Sequence, residues 1–421
     1  LEDLDPQVAA VLRRTANTHA RAPLVQNTQE HQVLGHLEKA RQELPNYYAG
    51  HDKEFPKRFF RFLQDYLLDF HSAGGITQPH ALFACGLNGV GKSYLVELVV
   101  KKLLVGAGIN YVACDLGTMS DPADPELGRF LKREAFKPNP TVIVCNELQN
   151  LRNKDDEGKA FPHPAANALK ALFDGTLKEK EIPTAALFFP FNPMPGRIPT
   201  MSPNPDVTTV EHVQKIHRNL FGSPSAIARE IGFMFDDQLA RQMTFRACTV
   251  EPFSLEDFRQ LVTLTARPVL EHTLKDMRVY PFFTRAMVDQ YLIPELVSPM
   301  EQGRGIKEEL SLEIRKMFLQ VKPYLNNAEL LCRDEVELYF DYDKATQKVL
   351  VHVLAHDADG RNPIRLHPIE ITPVHKNHPS RLTPREKLSP LEMHGAIQCF
   401  SEAFVMARFG IPFEVLRADW V

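Results

Sequence analysis

Residues 86–93 read GLNGVGKS, and no other stretch constrains the chain as strongly. The octapeptide fits G-x-x-x-x-G-K-S without deviation. It follows an apolar run, HALFAC (80–85), and opens a helical one, KSYLVELVVKKLL (92–104), which Gly106 ends. A strand, a glycine-rich turn and a helix in that order form a cradle for phosphate. Gly86, Gly89 and Gly91 let backbone N–H groups curl around anionic oxygens with no Cβ in the way, and the helix N-terminus adds partial positive charge. Leu87, Asn88 and Val90 complete the loop. Lys92 is expected to reach the β- and γ-phosphates and the Ser93 hydroxyl to hold Mg²⁺, with Tyr94 beside them.

Four more runs resemble the one before the loop: NYVACDL (110–116), TVIVCNE (141–147), TAALFFPFN (184–192) and FRACTVEPF (245–253). Each is short, rich in β-branched or aromatic residues, and bounded by Gly, Pro, Asn or Asp, which reads as a buried strand. Strands alternating with helices imply an α/β fold with a mainly parallel five-stranded sheet covered on both faces. The proline-rich NPMPGRIPTMSPNPDVTT reads as a surface loop. From Ser254, an expected N-cap with Asp257 at the third helical position, the pattern turns all-helical to about Leu325. EVELYFDYDKATQKVLVHVL (335–354) reads as a hairpin around Asp343-Lys344. A last helix is expected after Ser389-Pro390, ending at Gly410.

A net charge of −4 over 421 residues gives no sign of a nucleic-acid or membrane surface. No run of 18 apolar residues occurs, so no membrane span is expected. The six cysteines form no C-x-x-C pair and fit buried, reduced thiols, which points to the cytoplasm. The tail histidines show no metal-ligand spacing. The chain opens with LEDLDPQVAA, without Met, and reads as a fragment.

From about Tyr48 to Leu354 the chain resembles a single AAA+ ATPase module, most similar to the second module of Clp-type unfoldases. YAGHDKEF (48–55), with Gly50 and His51, is similar to the stretch that closes over adenine in that family. TVIVCNELQN stands where Clp modules carry hydrophobic-D-E-hydrophobic, and ALKALFDGTL (168–177) resembles the helix that follows. Asn192 matches the sensor-1 position. FMFDDQLARQMTFRACTVEPFSLEDFRQL resembles the Clp box, whose arginine finger would be Arg241. GRGIKEEL (303–310) resembles sensor 2, with Arg304 toward the γ-phosphate. The resemblance implies four parts: a helical segment 1–47, an α/β nucleotide domain 48–253, a helical lid 254–330 and a small α+β region 331–421. It also implies ATP and Mg²⁺ as ligands, Glu147 polarising the attacking water, Asn192 positioning it, and a homo-oligomeric ring, most simply a hexamer, acting on a protein client.

Two departures bear on function. Asn146 stands where the family has an aspartate that orders the water shell of Mg²⁺; an amide keeps an acceptor oxygen but loses the charge. Residues 117–140 hold no glycine–aromatic pore loop, which puts threading of polypeptides in question. Two readings stay open: an ATPase, slowed at Asn146, that remodels a protein complex, and an ATP-gated scaffold that turns over little or nothing.

Overall fold

The computed structural model describes residues 23–72, 74–119, 126–152, 159, 164–179, 181–193, 210–274, 279–296, 302–303, 306–325, 330, 335–357, 364–371 and 415–417. The Pro-rich loop beyond 193 and the helix expected after Ser389-Pro390 fall outside these residues.

Five parallel strands form the first sheet: β1 (Ala81–Cys85), β2 (Asn110–Asp115), β3 (Thr141–Asn146), β4 (Ala186–Phe191) and β5 (Ala247–Thr249). Their order is β2-β3-β4-β1-β5, so β1 sits between the last two strands to arrive. Every residue of β1 and β4 is buried, as the unbroken apolar runs require of strands covered on both faces. Pro190 lies in β4, but the ladder to β3 stops at Phe188, so its missing N–H falls beyond the last β3–β4 pair.

The helix Glu54–His71 buries Phe55, Phe59, Leu63, Tyr66 and Leu67, one face at helical spacing. The Tyr66 hydroxyl accepts from Thr141 N at 2.8 Å and donates to Thr184 O at 3.0 Å, pinning this helix to the starts of β3 and β4. Cys85, Cys114, Cys145 and Cys248 are buried free thiols, as expected. Among the described residues, no helix is long and apolar enough to cross a membrane.

A second sheet has the order β10-β8-β7-β6-β11, with β9 (Ile364–Arg365) beside β8. Its other strands are β6 (Val279–Thr284), β7 (Glu335–Asp343), β8 (Lys348–His356), β10 (Ile369–Ile371) and β11 (Val415–Arg417). β7 and β8 form the expected hairpin. The all-helical expectation for 254–325 is corrected at β6, which pairs in parallel with β7, Val279 opposite Val336 through Phe283 opposite Phe340. A six-residue apolar run carries too little periodicity to separate strand from helix, and its partner lies more than fifty residues on.

The helices Leu255–Leu274 and Ile306–Leu325 pack on each other over this sheet and share one core with it. Ser254 caps the first of them: Asp257 Oδ2 accepts from both Ser254 N and Ser254 Oγ at 2.6 Å, and Asp257 N donates to Ser254 Oγ at 3.3 Å.

Candidate nucleotide site

The glycine-rich loop leaves the carboxyl end of β1, where open α/β sheets bind ligands. A Cβ on Gly86 would lie 2.7 Å from the Val250 carbonyl oxygen, so only glycine fits as the chain turns under β5. Gly89 (φ +74°) and Gly91 (φ +80°) take left-handed conformations that turn the loop back on itself. The first helical hydrogen bond, Leu95 N to Gly91 O at 2.9 Å, leaves the N–H groups of Lys92, Ser93 and Tyr94 outside the helical ladder. These three residues edge a cavity of about 830 Å³.

Lys92 is buried, and its Nζ donates to Gly86 O (2.9 Å), Leu87 O (2.6 Å) and Asn192 Oδ1 (2.7 Å). Those acceptors use all three N–H groups of the ammonium, yet each is neutral. Burial therefore pulls the Lys92 pKa down to about 7, with Cys85 and Glu147 opposing. Among the described residues of the site, the Glu147 carboxylate acts on Lys92 through its charge and not through a hydrogen bond. Leu87 and Gly86 contribute to it through the carbonyls that hold Lys92 rather than as cavity wall.

Ser93 Oγ donates to Asn146 Oδ1 at 2.8 Å. The hydroxyl's one proton goes to Asn146, so its oxygen remains an acceptor suited to a cation. Glu147 is exposed at the cavity edge in a left-handed conformation (φ +61°), sparse territory for a side-chain-bearing residue. Gln149, which the sequence reading passed over, links two of the named residues: its Nε2 donates to Glu147 Oε2, and its Oε1 accepts from Asn192 N at 3.4 Å. Its only signal in the sequence is its place two residues after Glu147.

At the far end the walls are Tyr47, Tyr48, Tyr94 and Lys102, facing Leu264 and Pro268 of the helix Leu255–Leu274. The Tyr48 and Tyr94 rings stack at 6.2 Å, and Lys102 Nζ lies 3.6 Å from the Tyr47 ring centre. Gly50 and His51 sit behind this wall rather than in it. Gly50 (φ +71°) makes the turn, and its N–H donates to Gln260 Oε1 at 3.1 Å. Asn88, Gly89 and Val90 line the cavity beside the loop.

Arg241 lies away from this cavity. It is exposed on the helix Asp237–Phe245 and forms no ion pair or side-chain hydrogen bond among the described residues, with exposed Phe245 one turn on. Arg304 lies outside the described residues, next to Gly303, which does line the cavity.

Residues 82–201 match the model of the family described as "ATPase family associated with various cellular activities (AAA)". The chain resembles the AAA+ ATPases. The matched segment carries the phosphate loop, Asn146, Glu147, Gln149 and Asn192, and it stops before Arg241 and the second sheet. No curated protein matches the chain. Among solved structures, a closed-state cryo-EM reconstruction of Hsp104 with ATPγS and FITC-casein aligns at 12% identity with a TM-score of 0.43. The alignment covers 76% of this chain and 51% of that one, so the chain spans about half the length of that structure.

Proposed function

We propose that the protein binds ATP with Mg²⁺ in this cavity and hydrolyses it slowly, as a ring-forming AAA+ module that remodels a protein complex. The observation that carries the reading is the single wall formed by Lys92, Ser93, Asn146, Glu147 and Asn192, which brings cation, acceptor and carboxylate to one end of the glycine loop. Phosphoryl transfer asks for charge to be held rather than for covalent chemistry. The glycine-loop N–H groups and Lys92 meet the phosphates, and Glu147 takes the proton of the attacking water. Mg²⁺, when bound, supplies positive charge against the phosphate oxygens; Ser93 would hold it and Asn146 would order its surroundings. Asn192 shares Lys92 and, through Gln149, is linked to Glu147, which suits a residue that positions water.

A nucleotide-gated scaffold is the second reading, favoured by one observation: the acceptor beside Ser93 is a neutral amide. Steady-state phosphate release, titrated with Mg²⁺, separates the two. Release that Glu147→Gln abolishes supports the enzyme. No release at any Mg²⁺ concentration, with assembly still responding to ATP, leaves the scaffold.

A further inference from the structure

The turn Gln302–Gly303 joins the lid to the phosphate loop. Gln302 is fully buried, although glutamine is a residue of the surface, and its backbone is left-handed (φ +54°). Its Oε1 accepts from Phe253 N at 2.6 Å, at the point where the chain leaves β5 for the lid. The next residue, Gly303, donates its N–H to the Gly89 carbonyl at 3.0 Å, inside the phosphate loop. Space at 303 is tight, since a Cβ would lie 3.1 Å from both Gly89 O and Phe253 Cε2 and would have to push them aside by a few tenths of an ångström. A left-handed backbone, a buried amide and a closely packed glycine therefore converge on one contact, and Gly303 faces the same cavity as Lys92.

We infer that Gln302 is a positioning residue that latches the lid to the phosphate loop and so sets how long a nucleotide is retained. The amide of Gln302 fixes the hinge at Phe253, which holds the left-handed turn and presents the Gly303 N–H to Gly89. Loop N–H groups serve the phosphates, whereas the Gly89 carbonyl serves the lid, so latch and ligand do not compete. Opening the lid requires breaking the Gly303–Gly89 hydrogen bond together with the Gly50–Gln260 hydrogen bond and the Lys53–Asp257 ion pair, and Leu264 and Pro268 then leave the cavity. The inference rests on the nucleotide-binding reading only for its consequence, because the latch itself exists without ligand.

Two variants separate the hydrogen bond from the strain. Gln302→Met keeps length and removes the acceptor; Gln302→Gly removes the acceptor and relieves the left-handed backbone. Hydrogen exchange on the nucleotide-free protein reads the latch directly. The Phe253 and Gly303 amides are expected to exchange slowly and together in the parent, and fast in both variants. With a fluorescent ATP analogue, dissociation is expected to speed up about tenfold in both variants, the loss of one net hydrogen bond, with association unchanged. A role in folding alone would instead lower the melting temperature and leave the dissociation rate where it was. Fast exchange of Gly303 in the parent overturns the latch, and parent-like dissociation in Gln302→Met and Gln302→Gly overturns its coupling to the nucleotide. Failure of the parent to bind the analogue at all would remove the nucleotide reading, while the exchange data would still judge the latch.

Discussion

The hydroxyl of Ser93 donates to Asn146 Oδ1 at 2.8 Å, joining the end of the phosphate loop to the end of β3. A carboxylate at 146 would accept the same hydrogen bond and add a full negative charge beside the expected cation. Asn146→Asp should therefore lower the Mg²⁺ concentration for half-maximal phosphate release and raise turnover, by about 10–100-fold as for other outer partners of a metal site. ATP affinity should change little, since the glycine loop and Lys92 carry it. Mg²⁺ titrations of parent and variant that superimpose would rule this account of Asn146 out.

Lys92 makes a pH prediction. Its ordinary pKa of 10.5 falls to about 7 in the nucleotide-free fold. Between those two values the unfolded chain binds more protons than the native one, so this group's contribution to stability rises with pH across the window. Nucleotide binding runs the other way. Phosphates favour the ammonium and raise its pKa, so binding takes up a proton above pH 7. ATP affinity should fall as pH rises from 7 to 9, by at most about tenfold per unit. Calorimetry at pH 8 in two buffers of different ionisation enthalpy should register the uptake, and an affinity flat over that range would contradict it. Lys92→Ala should abolish measurable binding altogether.

Arg241 is exposed and away from its own cavity, so a catalytic role for it requires that a neighbouring copy present a nucleotide. Arg241→Ala should leave ATP affinity intact and cut turnover by about 10³-fold or more, the scale of an arginine finger. Sedimentation with saturating ATP should show a ring for the parent. A monomer that hydrolyses at the parent's full rate would end this reading.

The parts legible in the sequence are those whose physics is local. GLNGVGKS needs left-handed glycines at fixed offsets, and the buried runs of β1, β3 and β4 need continuous apolar residues, so both can be read directly. Ser254 and Asp257 form the expected reciprocal cap because the two lie three residues apart. What escaped depends on distant partners. β6 is a strand because β7 lies beside it, and Gln149 matters because Asn192, more than forty residues on, offers its N–H. Gln302 gave no signal, since glutamine advertises neither burial nor a left-handed backbone. Tyr47 and Tyr48 line the cavity in place of Gly50 and His51 for a related reason: the glycine makes the turn that sets the tyrosines in the wall.

Arg259 gives the last prediction, which concerns the helix Leu255–Leu274. Its side chain is fully buried on the helix Leu255–Leu274 and grips Asp289 with two bonds, Nε to Oδ1 at 2.8 Å and Nη2 to Oδ2 at 2.9 Å. Nη1 reaches Glu256 Oε2 at 3.0 Å. Asp289 belongs to the helical turn after β6, so this pair ties the helix Leu255–Leu274 to the segment that follows the strand. Removing one partner of a buried pair leaves the other charged, dry and poorly compensated; among the described residues only Arg285, 3.9 Å from Asp289, would remain. Arg259→Ala should destabilise the fold by about 3–5 kcal/mol, whereas replacing Arg259 and Asp289 together with apolar residues of similar volume should cost far less. Urea denaturation followed by circular dichroism measures both. If the single and double variants lose equal stability, the uncompensated carboxylate is not the cause, and lost packing of the arginine stem is the better account.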